Sequence, residues 1–301
     1  MKTMDDTDPG GMRALRVLAR APGLADAVRG RVSVTRLQGL TNATYRVETE
    51  VGSFAVQMPA RDSAAAMARG PAIAATRLAH ALGIGAELVH AEEHGGAIVT
   101  RWIAATEATT AETLRTATGR LASLAASLAR LHRSSERLER RFDPFAAIAD
   151  MASRSGGVSP PPPLADALRR AEIELARTLR AAVPIHGDLV PANVRAAPDG
   201  VVLIDWDYAG MGDPAWDIAY FALEAGLTPE EEQALAAAHG GPGLETRRLR
   251  LNRMTVATLA WMWGTTRMRL SPEPDLSRWI DMRRKEAATL ATSLYADAGI
   301  R

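Results

Sequence analysis

Cysteine is absent from the 301 residues, which excludes disulfides and thiolate metal sites and fits a cytoplasmic protein. Lysine is almost absent too: Lys2 and Lys285 are the only two, and arginine supplies the other basic residues. A GC-rich coding sequence produces the same bias alongside many alanines, so the bias alone carries no functional meaning. Charge of one sign is missing, with 36 basic residues against 35 acidic and a net charge of +1. That balance gives no electrostatic case for nucleic acid or an anionic membrane as partner. No apolar run approaches the roughly 20 residues of a membrane helix. The opening MKTMDDTDPGG is acidic and lacks the apolar stretch of a secretory signal, so residues 1–10 are expected to be a mobile tail.

What is present is a large apolar fraction, 47%, enough for a sizeable core. Residues 11–29 carry apolar positions at helical spacing. From Val32 the period changes to two: Val32, Val34 and Leu37, then Thr44 to Glu48, then Phe54 to Met58, with turns between. This pattern predicts a three-stranded antiparallel meander. A helical stretch over 63–82, interrupted at Gly70-Pro71, precedes two further short strands, 87–90 and 97–102. Beyond residue 104 the spacing is helical: a long segment over 112–132, another over 164–182, and two final helices near 244–270 and 275–298. Ser155 to Pro163 contains four successive prolines and is expected to be a solvated linker. Thr228-Pro229-Glu230-Glu231 has the residues of a capped helix start. The layout suggests a strand-rich lobe over 11–104 and a helical lobe over 105–301, with a cleft between them.

The chemistry concentrates between Val183 and Tyr220. His186-Gly187-Asp188 is followed five residues after the aspartate by Asn193, and twelve residues further by Asp205 at the end of the apolar run Val202-Leu203-Ile204. Phosphoryl transfer needs such a set. A carboxylate, Asp188, accepts the proton of an attacking hydroxyl. A neutral amide, Asn193, offers a carbonyl oxygen to a metal, and a second carboxylate, Asp205, supplies the main charge. Magnesium takes hard oxygen ligands and keeps several waters, so two protein ligands suffice. His186 is expected to be a hydrogen-bonded structural imidazole.

The run HGDLVPANV, with LIDWDYAGMGDPAWDIAYFALE after it, resembles the aminoglycoside phosphotransferase and choline kinase superfamily, and more narrowly bacterial choline/ethanolamine kinase-like proteins. The resemblance implies an α+β, protein-kinase-like two-lobe fold with a small antiparallel sheet lobe and a larger helical lobe, and ATP and Mg2+ as cofactors. It makes Asp188 the catalytic base, Asn193 and Asp205 the metal ligands, and Asp217 a brace for the catalytic loop. Leu40, Thr41 and Asn42 match the loop over the phosphates, and Thr100 to Ile103, including Arg101 and Trp102, the hinge that reads adenine. On the substrate side it implies Asp207, Tyr208, Glu224, Trp261 and Trp263, an acid-and-aromatic pocket suited to the ammonium of a choline- or ethanolamine-like alcohol. Two tryptophans at i and i+2 point in different directions, so one of them is expected to be core.

One departure stands out. Kinase-like folds place a basic residue on the third strand and pair it with a glutamate of the next helix. Here the strand position is Gln57, and no glutamate occurs between Glu50 and Glu87. Three arrangements are open: an arginine such as Arg46, Arg61 or Arg69 takes over the phosphate contact; Gln57 serves as a neutral donor at slower turnover; or catalysis is lost and a binding pocket remains. The intact base and metal ligands favour an active or weakly active enzyme. Among enzymes the alternative is an antibiotic kinase of the aminoglycoside or macrolide type.

Overall fold

The computed structural model describes residues 9–37, 42–59, 69–93, 96–104, 110–116, 119–178, 181–198, 200–270 and 274–295. Leu40, Thr41, Arg61 and residues 1–8 of the expected tail lie outside this set, while Pro9 and Gly10 already belong to a helix. Two compact units form, one from Met1–Thr109 with Asn193–Ala209, the other from Thr110–Ala192 with Gly210–Arg301.

The strand-rich unit begins with α1 (Pro9–Arg20), which stops short of the expected residue 29 because Pro22 cannot continue a helix. The meander follows as β1 (Ser33–Arg36), β2 (Asn42–Thr49) and β3 (Gly52–Pro59). After α2 (Arg69–Ala81), β4 (Leu88–Ala91) and β5 (Ile98–Arg101) complete a five-stranded sheet of order β1-β2-β3-β5-β4. Gly70 and Pro71 do not interrupt α2. They lie in its first turn, where backbone N–H groups have no partner within the helix and proline removes nothing.

Alternation along the strands decides what each face of the sheet buries. Tyr45, Val47, Phe54, Val56, Met58 and Val99 pack with Ala14, Val17 and Leu18 of α1, and Ile98 packs with Ala72 and Ile73 of α2. Phe54 is fully buried, and truncating a core phenylalanine to alanine costs about 3–5 kcal/mol.

The helical unit starts with α3 (Ala111–Thr116) and α4 (Arg120–His132). The expected single helix is split because Gly119 takes φ +79°, a conformation glycine adopts without steric cost. Next come α5 (Pro144–Arg154) and α6 (Pro162–Thr178). The last two prolines of the expected linker form the first turn of α6. Strand β6 (Val183–Ile185) then leads into the loop at 186–190 and a 3₁₀ turn over Pro191–Asn193.

The chain now rejoins the strand-rich unit as the hairpin β7 (Val194–Ala197) and β8 (Gly200–Leu203). Leu203 N–H donates to Ile84 O at 2.8 Å, and Leu203 bridges to Gly85, which ties the hairpin to that unit. The final passage through the helical unit is β9 (Gly210–Gly212), paired with β6, then α7 (Pro214–Glu224), α8 (Pro229–His239), α9 (Thr246–Leu270) and α10 (Pro274–Tyr295). Thr228 caps α8 with Glu231 in a reciprocal box, as its sequence predicts. The helical core gathers Trp216, Met254, Ala257, Trp261 and Met262 with residues of α6 and α10.

Candidate active site

In the strand-rich unit the site is built at one end of the β7–β8 hairpin. Val194 pairs with Leu203, and Asn193 O accepts from Ile204 N–H at 3.0 Å. Asn193 and Asp205 therefore leave the hairpin side by side. Asp205 takes φ +64°, the one non-glycine positive φ among the described residues. Such a backbone costs of order 1–3 kcal/mol and persists where its surroundings enforce it, commonly at functional sites. Gln57, midway along β3, donates its Nε2 to Asp205 Oδ1 at 3.0 Å, and its Oε1 accepts from Arg69 Nη2 at 2.8 Å.

Asp207 has a different environment. Arg69 Nη1 donates to its Oδ1 and Asn42 Nδ2 to its Oδ2, and both partners of the ion pair are buried. Asn42, expected in the loop over the phosphates, and Asp207, expected beside the substrate, are thus joined to each other, with Arg69 on the other carboxylate oxygen. Tyr208 sits half-buried in the turn that follows. At the end of β5, Arg101 N–H donates to Glu87 O and Trp102 N–H to Ser53 O, both at 2.9 Å. The Arg46 guanidinium lies 4.8 Å from the Trp102 ring centroid and pairs with Glu48. Ile103 is half-buried.

In the helical unit Asp217 organises the loop that starts at His186. It is fully buried at the start of α7. Its Oδ2 accepts from His186 N–H at 2.8 Å, and its Oδ1 from Gly187 N–H at 3.0 Å. The Trp216 indole N–H donates to Gly187 O at 3.0 Å. Asp188 N–H in turn donates to Nδ1 of the buried His186 imidazole at 3.3 Å. Asp213 fixes the helix that carries Asp217. It caps α7 through Ala215 N–H and pairs with Arg248 of α9 at 2.7 Å.

Two histidines that the sequence reading passed over extend the brace. His132 Nε2 lies 3.0 Å from Asp217 Oδ2, and His132 Nδ1 lies 3.0 Å from His239 Nε2. Gly241 N–H donates to His239 Nδ1, so that nitrogen is an acceptor. One tautomer set then satisfies every contact with neutral rings: His239 Nε2–H donates to His132 Nδ1, and His132 Nε2–H donates to Asp217. Burial, reinforced by His132 and Arg133, lowers the His239 pKa to about 4. Burial pushes the Asp217 carboxyl up, but the hydrogen bonds from His132 and from the His186 backbone N–H outweigh it and hold the group below its usual value.

Glu224, at the end of α7, is largely buried and held by Arg283 at 2.9 Å. Arg283 also pairs with Glu286 at 2.8 Å and lies 5.5 Å from the Trp279 ring centroid. Burial raises the Glu224 pKa, Arg283 opposes this, and the nearby charges of Asp188 and Glu286 add to the rise. Trp263 meets Trp279 edge-on at 6.0 Å, whereas Trp261 belongs to the helical core, its side chain being directed there by the i, i+2 offset. Arg69 was one of three arginines expected near the phosphates, whereas Arg283 escaped prediction, because nothing in its local sequence distinguishes it from other arginines.

A metal fits this donor set. Among the described residues no three His, Asp or Glu side chains form a metal cluster, and Asn193 with Asp205 at the hairpin end supplies the one amide and one carboxylate that magnesium needs.

Comparison with known proteins agrees with the fold. Residues 33–250 match the phosphotransferase enzyme family. The LicA homologue of Metamycoplasma hominis is 31% identical over 87 residues, and LicA of Haemophilus influenzae is 32% identical over 89. These stretches cover 29% and 27% of this chain, and only 34% and 33% of those proteins' lengths. Among solved structures, a choline/ethanolamine kinase family protein from Mesorhizobium loti superposes with a TM-score of 0.78 at 25% identity, covering 93% of this chain and 94% of that one. Choline kinase LicA from Streptococcus pneumoniae gives 0.75 at 23% identity, covering 87% and 94%, and shares the fold. With the family match spanning most of its length, and a kinase-like fold that carries the loop His186-Gly187-Asp188 and the hairpin end Asn193/Asp205, the chain belongs to the phosphotransferase enzyme family.

Proposed function

We propose that the protein transfers the γ-phosphoryl group of ATP to the hydroxyl of a small amino alcohol of the choline or ethanolamine kind. Asp188 takes the hydroxyl proton as the new O–P bond forms and the bond to ADP breaks. Asn193 and Asp205 would hold a magnesium ion, which would neutralise charge on the phosphates. Asp217 fixes the His186-Gly187-Asp188 backbone, so the base is set before substrate arrives. In the segment after β5 the N–H groups of Arg101 and Trp102 are already engaged, so adenine is met by their carbonyls or by Ile103.

The observation that carries this reading is the hairpin end, where an amide and a carboxylate on a strained backbone emerge together, five residues downstream of a braced aspartate. The test is ADP release from ATP across a panel of amino alcohols, aminoglycosides and neutral polyols. Asp188→Ala and Asp205→Ala are expected to abolish turnover with unchanged circular dichroism. Full activity in either variant removes the mechanism.

A second reading of the acceptor follows from Glu224. The acid that the resemblance assigns to an ammonium ligand is already met by Arg283, whose guanidinium also takes up the Trp279 face. That arrangement favours an uncharged alcohol, and the polyol arm of the panel decides between the two.

A further inference from the structure

The strand-rich unit lacks the lysine that the fold places on β3, and α2 contains no acidic residue to pair with one. In that place stands Arg69, the first residue of α2. Its seat is built from three elements. Nε donates to Gly96 O at 3.0 Å, Nη2 to Gln57 Oε1 at 2.8 Å, and Nη1 to Asp207 Oδ1, with the side chain buried. Gly96 adopts φ +67°, and a Cβ there would collide with the Arg69 side chain, so the close approach depends on glycine.

A guanidinium has five donors and no acceptor. The atom of Gln57 that faces it must therefore be the carbonyl oxygen, which turns the amide NH2 towards Asp205. With the amide reversed, an oxygen would oppose the carboxylate. Arg69 thus sets the orientation of Gln57 and gives Asp207 a full countercharge, while the same network meets Asp205 through a neutral donor. The usual strand-and-helix pair is present with its chemistry transposed, an amide on the strand and the cation on the helix.

We propose that Arg69 is a positioning residue that replaces the missing strand lysine, orienting Gln57 on Asp205 and so shaping the magnesium-nucleotide site. The inference rests on the phosphotransferase reading above. A merely structural ion pair would affect stability and leave nucleotide affinity unchanged. The experiment is calorimetric titration of the full-length protein with ADP, with and without magnesium, alongside steady-state kinetics.

Arg69→Met is expected to weaken Mg·ADP binding about tenfold or more and to lower kcat on the order of 10²–10³-fold. Arg69→Lys keeps the charge but lacks the planar fork that spans Gln57 and Asp207, so it stays about tenfold below wild type in kcat/KM. The double variant Gln57→Lys/Arg69→Met moves one positive charge from helix to strand and is expected to recover at least about tenfold of the lost kcat. Wild-type affinity and turnover in Arg69→Met would overturn the inference, as would a folded double variant no better than the single one. If Arg69→Met fails to fold, Arg69→Lys decides: equality with wild type in affinity and kcat overturns the proposal, and the loss described supports it. A wild-type protein that binds no ADP under either condition overturns the phosphotransferase reading itself, an outcome distinct from all of these.

Discussion

The two units each bury an aspartate, and they hold it by different means. In the strand-rich unit Asp207 is matched by a formal charge, the Arg69 guanidinium, with Asn42 on its other oxygen. In the helical unit Asp217 is held by two backbone N–H groups and a chain of two neutral histidines. A buried ion pair is costly to half-remove, because the surviving partner keeps its charge without solvent. A carboxylate held by neutral donors is softer to substitution but loses support in acid, as His239, with its pKa lowered to about 4, takes up a proton.

Substitution of each acid by its amide breaks the comparison most directly. Asp207→Asn leaves Arg69 without its countercharge and is expected to lower unfolding stability by about 3–5 kcal/mol, read from denaturant melts. Asp217→Asn keeps one acceptor oxygen but turns an NH2 group towards a backbone donor, at an expected cost of about 1–3 kcal/mol with loss of turnover.

Lowering the pH sharpens the contrast. His239 has a folded pKa of about 4, below its ordinary value near 6.5. The unfolded chain therefore binds the proton first. Its contribution is fully present above 6.5 and is lost as pH falls towards 4. Asp217, held below its usual value, adds a further loss at lower pH still. The melting temperature is expected to fall across that window, and His239→Gln, which can still donate to His132, should flatten the upper part of the fall. The smallest effect is expected outside both networks: Thr228→Ala removes the α8 cap and should cost about 1 kcal/mol at any of these pH values.

Much of this was legible in sequence. The meander was readable because Tyr45, Val47, Phe54, Val56 and Met58 alternate with partly exposed neighbours, a pattern that a strand must show when one face packs on a helix. Asp188, Asn193 and Asp205 stood out by their order and spacing along the chain, and Asp217 by the resemblance of the run around it to the family. Partners contributed from distant sequence were not readable. Arg69 and Asp207 are 138 residues apart, and His132 and His239 are 107 apart, so only the folded backbone brings them together. The helix boundaries failed at Gly119 and Pro162 for a local reason: a left-handed glycine splits a periodic segment that looks continuous, and proline at a helix start leaves the period undisturbed.

The glutamine on β3 has a practical consequence for chemical labelling. Nucleotide probes that acylate a lysine beside the bound phosphates depend on a nucleophile that this protein does not carry there. Its two lysines are Lys2, near the N-terminus, and Lys285, exposed on α10. Lysine-directed profiling of ATP-binding proteins is therefore expected to pass over this one, while the Gln57→Lys variant, with an amine introduced on the third strand, should become reactive and be protected by excess ATP.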